Sequence, residues 1–313
     1  MPRLLRTLGA LVALVPLFAL ADNAERPAAP RDSITVSTQW VAAHLDDPDT
    51  VLLHVGDEDD YSKQHIPGAR LVSLDDISVS EHTGKGLHLE MPAPEDLRQR
   101  LAKLGITDRS CVIVYYGKDW VSPATRVVFT LDAAGLGERS ALLDGGMPAW
   151  IRDGHKTTKE IPPAPNDVSL APLAMQDRIV DAAFVQSHLG TPGYTVIDGR
   201  AAVFYDGKET GDSMGRPHKT GHIAGAKSLP FTSITTTDLH LKSKDELKAL
   251  FDHIGVAPGD TIIGYCHIGQ QGTAMLFAAR ALGHKVLLYD GSFEDWSKRD
   301  LPVENPKAKG GKA

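Results

Sequence analysis

The run Ile262-Ile263-Gly264-Tyr265-Cys266-His267-Ile268-Gly269-Gln270-Gln271-Gly272-Thr273-Ala274 carries a strand signal and a loop signal side by side. Two β-branched residues lead into a Tyr-Cys pair, a short polar loop with two glycines follows, and Met275 to Leu282 continues as a helical run. The pattern predicts a buried strand that delivers Cys266 to a tight loop, His267 to Gly272, opening onto a helix N-terminus. Backbone N–H groups at such a terminus have no internal partner, and the helix dipole favours negative charge there. That setting favours the thiolate, the nucleophilic form of cysteine. Gly269 and Gly272 let the chain curl with several N–H groups facing inward, a cradle that suits an oxyanion substrate as well as a thiolate. A lone cysteine is more often a small buried hydrophobe, but a packing residue needs no glycine-rich cradle. Cys111, inside the apolar run Ser110-Cys111-Val112-Ile113-Val114-Tyr115, reads as core.

The first residues read as a targeting segment. Arg3 and Arg6 precede an uncharged run from Thr7 to Leu20, and Ala19-Leu20-Ala21 has the small-x-small form of a signal cleavage site. The run is shorter than the roughly 20 apolar residues of a membrane span. The expectation is export to a periplasm, cleavage after Ala21, and no stable membrane association afterwards. A net charge of −7 over 313 residues argues against nucleic acid or anionic lipid as a partner. Two cysteines in a chain of this length make no disulfide framework, so free thiols are expected.

So long a chain exceeds one ordinary core and predicts two domains. Helical segments at Ser37–Leu45, Pro94–Leu104 and Pro123–Ala134 alternate with strands at Thr50–Val55, Cys111–Tyr116 and Ser140–Leu143. After the proline-rich Pro162-Pro163-Ala164-Pro165 the series restarts: helices at Val180–His188, Lys244–Ile254 and Gly272–Leu282, strands at Thr195–Asp198, Thr261–Tyr265 and Val286–Tyr289. This alternation argues for an α/β fold, each half a parallel sheet flanked by helices on both faces. Residues recur with the pattern. His65-Ile66-Pro67-Gly68-Ala69 returns as His222-Ile223-Ala224-Gly225-Ala226, with Tyr61 and Tyr205 upstream, and Asp144-Gly145-Gly146 with Trp150 returns as Asp290-Gly291-Ser292 with Trp296. The divisions expected are a signal peptide (1–21), a non-catalytic first domain (33–160), a linker (161–175), a catalytic second domain (176–304) and a disordered tail (305–313). Aligning the two strands puts Tyr116 opposite Cys266, so the first copy has no nucleophile there.

On these residues the chain resembles the tandem-domain rhodaneses, a family of sulfurtransferases. The similarity spans essentially the mature chain. Its landmarks are Asp198-Gly199-Arg200, Gly221-His222-Ile223-Ala224-Gly225-Ala226, the loop from Cys266 to Gln271, and Asp290-Gly291-Ser292-Phe293-Glu294-Asp295-Trp296. The resemblance implies two rhodanese-like domains and covalent catalysis in two half-reactions. The loop cysteine takes the outer sulfur of a donor such as thiosulfate as a persulfide, and a thiophilic acceptor such as cyanide or a thiol removes it. It also implies no metal or organic cofactor, and small-molecule donor and acceptor as partners.

Cys266 is therefore the expected nucleophile, with Arg200, His267, Ile268, Gly269, Gln270, Gln271 and Gly272 expected to bind substrate. Arg200, at a strand end, offers a guanidinium fork to a sulfonate-like donor; the alternative is a salt bridge to a neighbouring acid. His267 can bind an anion when protonated, or be a loop histidine with no task. Asp198 is expected to organise its loop, His222 to brace a turn, and Trp296 to pack. Thiosulfate-preferring relatives carry basic residues after the cysteine and mercaptopyruvate-preferring ones a small Gly-rich pair followed by Gly-Val-Thr. His267-Ile268 and Gly269-Gln270-Gln271 fit neither, so the donor stays open, with the Gln270 and Gln271 amides leaning to thiosulfate. A cysteine phosphatase would need an arginine closing the loop, where Gln271 and Gly272 stand. A persulfide carrier serving a protein acceptor shares the loop and stays open as the alternative.

Overall fold

The computed structural model describes residues 34–83, 86–118, 120–166, 168–213, 215–299 and 301–306. The expected signal segment and the tail from residue 307 lie outside these residues. In the first half, Thr35–Val36 (β1), Thr50–Val55 (β2), Arg70–Val72 (β3), Cys111–Tyr116 (β4) and Ser140–Leu143 (β5) form a parallel sheet in the order β1-β5-β4-β2-β3. The second half runs Ile179–Val180 (β6), Tyr194–Asp198 (β7), Asp212–Ser213 (β8), Arg216–Pro217 (β9), His222–Ile223 (β10), Lys227–Ser228 (β11), Thr261–Tyr265 (β12), Val286–Tyr289 (β13) and Val303–Glu304 (β14). Its parallel sheet has the order β11-β7-β12-β13-β6, the same topology as the first. Strands β8 and β9 form a small hairpin inside the second half, and β10 pairs antiparallel with β14.

Side chains on the alternate faces of each sheet go to different cores, as the period of a strand requires. Val36, Leu52, Ile113, Tyr115 and Trp150 fill an outer core of the first half, and Val196, Ile263, Tyr265, Tyr289 and Trp296 the matching core of the second. The opposite faces meet in one shared apolar cluster, because helix Val121–Ala133 (α1) packs against helix Gln271–Ala281 (α2) across the junction. Nearly every residue of α1 is buried, Thr125, Arg126 and Thr130 included, which an outward-facing amphipathic helix would not show. The Pro-rich segment between the halves is strapped to the first: Arg70 donates to the Pro163 carbonyl at 2.7 Å, Arg98 to that of Leu170 at 2.8 Å, and Leu170 itself is buried. Among the described residues no helix is long and apolar enough to cross a membrane.

The residues that recur in sequence perform the same mechanical tasks twice. Tyr115 Oη accepts the Ile66 N–H and Tyr265 Oη accepts the Ile223 N–H, each at 3.1 Å. Tyr61 donates to the Ala69 carbonyl at 2.7 Å and Tyr205 to that of Ala226 at 2.8 Å. Trp150 and Trp296 each donate to a carbonyl six residues on, Lys156 and Pro302, at 2.9 Å. His222 stacks on Tyr205 with 3.6 Å between ring centroids, as His65 stacks on Tyr61 at 3.9 Å. These residues brace the fold in both halves.

One exchange between the halves has a consequence for stability. Register pairs His54 with Tyr115 where Asp198 pairs with Tyr265, and His54 is buried with its ring nitrogen 3.1 Å from the Tyr115 hydroxyl. Burial first, then His65, lowers its pKa to about 4. The unfolded chain takes up that proton near pH 6.5 and the folded chain only near 4, so the contribution is whole above 6.5 and is lost as pH falls towards 4. By pH 5 His54 alone should cost about 2 kcal/mol of stability relative to pH 7. His54→Leu should flatten that part of the dependence in urea unfolding at a series of pH values; an unchanged slope would show that the histidine is not held neutral.

Candidate active site

Strand β12 ends at Tyr265, so Cys266 is the first residue past the sheet, and α2 begins five residues later at Gln271. Cys266 is fully buried and neither cysteine is in a disulfide. Its N–H donates to Ser292 Oγ at 3.2 Å, and that hydroxyl donates to the Tyr289 carbonyl at 2.9 Å. Ser292 holds a left-handed φ of 50°, a conformation that costs a residue with a side chain about 1 kcal/mol or more. The first half has Gly146 there, at φ 54°, and a Cβ on Gly146 would lie 2.5 Å from the ring of Tyr116. Cysteine with serine in one copy corresponds to tyrosine with glycine in the other. Tyr116 fills the vacated site, and its hydroxyl donates to the Leu239 carbonyl of the second half at 2.6 Å.

The loop carbonyls are tied down one by one. Phe293 N–H donates to Cys266 O and Glu294 N–H to His267 O, both at 3.0 Å. Arg126 Nη1 donates to Gly269 O at 3.0 Å, and Thr273 donates to Gln270 O through its N–H at 3.1 Å and its hydroxyl at 2.6 Å. By contrast, no amide from His267 to Gly272 donates to a protein acceptor among the described residues. Gly269 and Gly272 are buried and the other four residues half-buried, and such a run of amides without protein acceptors is what a cradle permitted by the two glycines would contain. The glycines serve it differently. Gly269 has φ 80°, and a Cβ there would meet Asp290 at 2.9 Å. Gly272 needs no special φ; its bare Cα lets α2 start against the backbone of Tyr265, 3.1 Å from where a Cβ would stand.

Three of the expected substrate ligands are differently employed. Arg200 is buried, not surface-exposed: Nη2 donates to Asp198 Oδ2 at 2.6 Å and to the Gly221 carbonyl at 2.7 Å, and Nε donates to Asp198 as well. Its guanidinium carbon lies 4.0 Å from the Phe293 ring centroid, so the Nε and Nη2 edge is committed to Asp198 and Gly221 and one face to an aromatic ring. His267 is not a cation. Burial first, then the positive Arg200 and the neighbouring His218, lowers its pKa to about 3, and its Nδ1 is buried without a hydrogen bond. Phe204 packs edge-on against it at 4.7 Å, and Gly211, just before β8, lies too close to its ring to admit a Cβ. Gln270 is turned to the other domain, its Nε2 donating one of its two N–H bonds to Ser122 Oγ at 3.2 Å. Ile268 is half-buried beside it, and Gln271 opens α2 with a buried, unbonded Oε1. Asp198 receives Arg200 and its backbone N–H, the organising role expected of it.

Sequence reasoning missed Ser292, Phe293, Arg126, Phe204 and His218. Among the described residues no group of three or more His, Cys, Asp or Glu side chains gathers as metal ligands. What the site offers is a strand-end sulfur, a run of uncommitted amides and little free positive charge, which suits an anion that develops on sulfur.

A Rhodanese-like domain model matches residues 37–153 and again residues 181–299. Over 287 residues the chain is 32% identical to the 3-mercaptopyruvate sulfurtransferase of Escherichia coli K12, covering 87% of this chain and 98% of that one. It is 29% identical over 276 residues to the thiosulfate sulfurtransferase of Pseudomonas aeruginosa, with 87% and 97% covered. A third relative, the sulfur carrier protein TtuD of Thermus thermophilus, is 29% identical over 294 residues, with 88% and 97% covered.

Because Arg200 and Asp198 are a buried pair, removing one strands the other. Arg200→Leu should lower unfolding stability by about 3–5 kcal/mol in denaturant titrations. Undiminished stability together with a large rise in donor KM would instead return the guanidinium to the donor.

Proposed function

Since the chain belongs to the rhodanese family of sulfurtransferases, we propose that it moves a sulfane sulfur from thiosulfate or a related donor to a thiophilic acceptor through a persulfide on Cys266. The observation that carries this reading is the strand-end Cys266 followed by amides without protein acceptors. In the first half-reaction the Cys266 thiolate attacks the outer sulfur of thiosulfate; a new S–S bond forms, the old one breaks, and sulfite leaves with the electron pair. In the second, cyanide attacks the outer sulfur and leaves as thiocyanate, returning the electron pair to Cys266 as thiolate. A thiol acceptor takes the same sulfur as its own persulfide. Negative charge sits on sulfur at every stage, and preorganised amides stabilise it without reorganising. With His267 neutral and Arg200 engaged, an anionic donor is held chiefly by the same amides.

Cys111 takes no part. It is core, and burial first, then Asp47, raises its pKa to about 11, so it is almost wholly thiol at neutral pH. A second reading, a carrier that hands its persulfide to a protein acceptor, draws on the likeness to a named sulfur carrier. Its signature is slow turnover with small donors and fast delivery to a protein. Export as the setting rests on the pattern of residues 1–21 alone.

Mass spectrometry after thiosulfate or 3-mercaptopyruvate should find one added sulfur on Cys266 and none on Cys111. Cys266→Ser should abolish transfer to cyanide and leave the unfolding transition in place. Label on Cys111, or transfer surviving in the serine variant, would refute the assignment.

A further inference from the structure

The catalytically empty first domain reaches into the loop at one charged residue. Arg126 lies in the middle of α1, is 0% exposed, and comes from the half with no nucleophile. Its Nη1 donates to Gly269 O at 3.0 Å and to Asp290 Oδ1 at 2.5 Å, and its Nη2 donates to Leu89 O. Asp290 is held in turn by the Met91 N–H of the first half at 2.7 Å. The guanidinium therefore joins the loop after Cys266, the end of β13 and the 89–91 segment of the other domain.

We infer that Arg126 is a positioning residue of the sulfur-transfer site: it fixes the orientation of the Gly269–Gln270 peptide, and so makes the first domain part of the catalytic machinery. This rests on the persulfide reading above. A trans peptide is planar, so its C=O and N–H point in opposite directions, and no described peptide is cis. Holding Gly269 O on the side of Arg126 turns the Gln270 N–H to the side away from it. The same logic applies at Cys266 O, His267 O and Gln270 O, but there the anchors are Phe293, Glu294 and Thr273, all in the second domain. Of the loop's anchored carbonyls, Gly269 O is the one held from the first domain. It also precedes the weakest point of the cradle: glycine at φ 80° has the backbone freedom to let the following peptide flip, which the β-branched Ile268 would resist. A flip would exchange an N–H donor for a carbonyl oxygen facing the sulfur, replacing attraction with repulsion for an anion. The effect falls on the charge that develops during transfer, so it belongs in kcat more than in KM.

Arg126→Met is the direct variant, and since it strands Asp290, the double variant Arg126→Met/Asp290→Asn accompanies it with the buried charge removed. Asp144→Asn is the control: Asp144 accepts from Leu241 N–H at 2.8 Å and contacts His240, so it weakens the domain junction without touching the loop. Measured are Cys266 persulfide formation, steady-state kcat and KM with thiosulfate and cyanide, and thermal unfolding. The folded double variant should lose roughly 10- to 100-fold in kcat, below or near the cost of one oxyanion donor, with KM changed less than about threefold. Added guanidinium ion should restore part of the rate, and Asp144→Asn should keep wild-type kcat. A folded double variant within twofold of wild type, or an equal loss in Asp144→Asn, overturns the inference while persulfide on wild-type Cys266 upholds the reaction. Wild-type protein that takes no sulfur on Cys266 removes the reaction and the inference together.

Discussion

A planar peptide cannot direct its carbonyl and its N–H to the same side, and the site depends on that constraint. Cys266 O, His267 O, Gly269 O and Gln270 O are each held by a donor in the surrounding structure. With the oxygens held back, the amides that follow them are left over, in a loop that runs straight into the positive end of α2. Solvent-exposed amides would be spent on water. Here Cys266, Gly269 and Gly272 are buried while His267, Ile268, Gln270 and Gln271 are half-buried, and the less water reaches a donor the greater its electrostatic value. The nearby cation, Arg200, is paired with Asp198.

Duplication explains how such a loop is kept rigid. The two halves have one topology, and the braces made by Tyr61, His65 and Trp150 return as Tyr205, His222 and Trp296. Where the halves differ, they differ in coordinated pairs. Tyr116 needs the bare Gly146, whereas Cys266 needs the hydroxyl of Ser292 at the same left-handed position. The first half has tyrosine where the second has Cys266, and its helix α1 is the surface on which α2 and the loop are seated. Thr125 and Thr273 hydroxyls lie 3.0 Å apart across that seam, Ser122 meets Gln270, and His88 meets Glu294 at 2.9 Å. Such a junction, continuous with the apolar cores on both sides, is not a hinge.

Much of the architecture was legible in the chain itself. Strands Thr50–Val55, Cys111–Tyr116, Ser140–Leu143, Thr261–Tyr265 and Val286–Tyr289 coincide with their expected limits, since each is a short apolar run bounded by turn residues, all but Ser140–Leu143 with β-branched or aromatic residues. The edge strands Thr35–Val36 and Ile179–Val180 give no sequence signal because two residues show no periodicity, and Val180 falls at the start of the expected helix, which begins at Ala182. At the site, Cys266 and the curl at Gly269 were readable from local pattern. The surroundings of Arg200 and His267 are not legible from local pattern, because they are set by packing: Asp198 and Phe293 pack on one, and burial beside a second histidine favours the neutral form of the other. Arg126 did leave a trace, a lone arginine within the apolar run Val121–Ala134, but only the packing of two domains shows what it faces.

The most direct measurement is a crystal structure of the protein carrying a persulfide on Cys266. The outer sulfur should lie within hydrogen-bonding distance of several loop amides between His267 and Gly272, with Gly269 O still held by Arg126. An outer sulfur directed away from those amides, or a loop whose N–H groups have turned to water or to protein acceptors, would contradict the account.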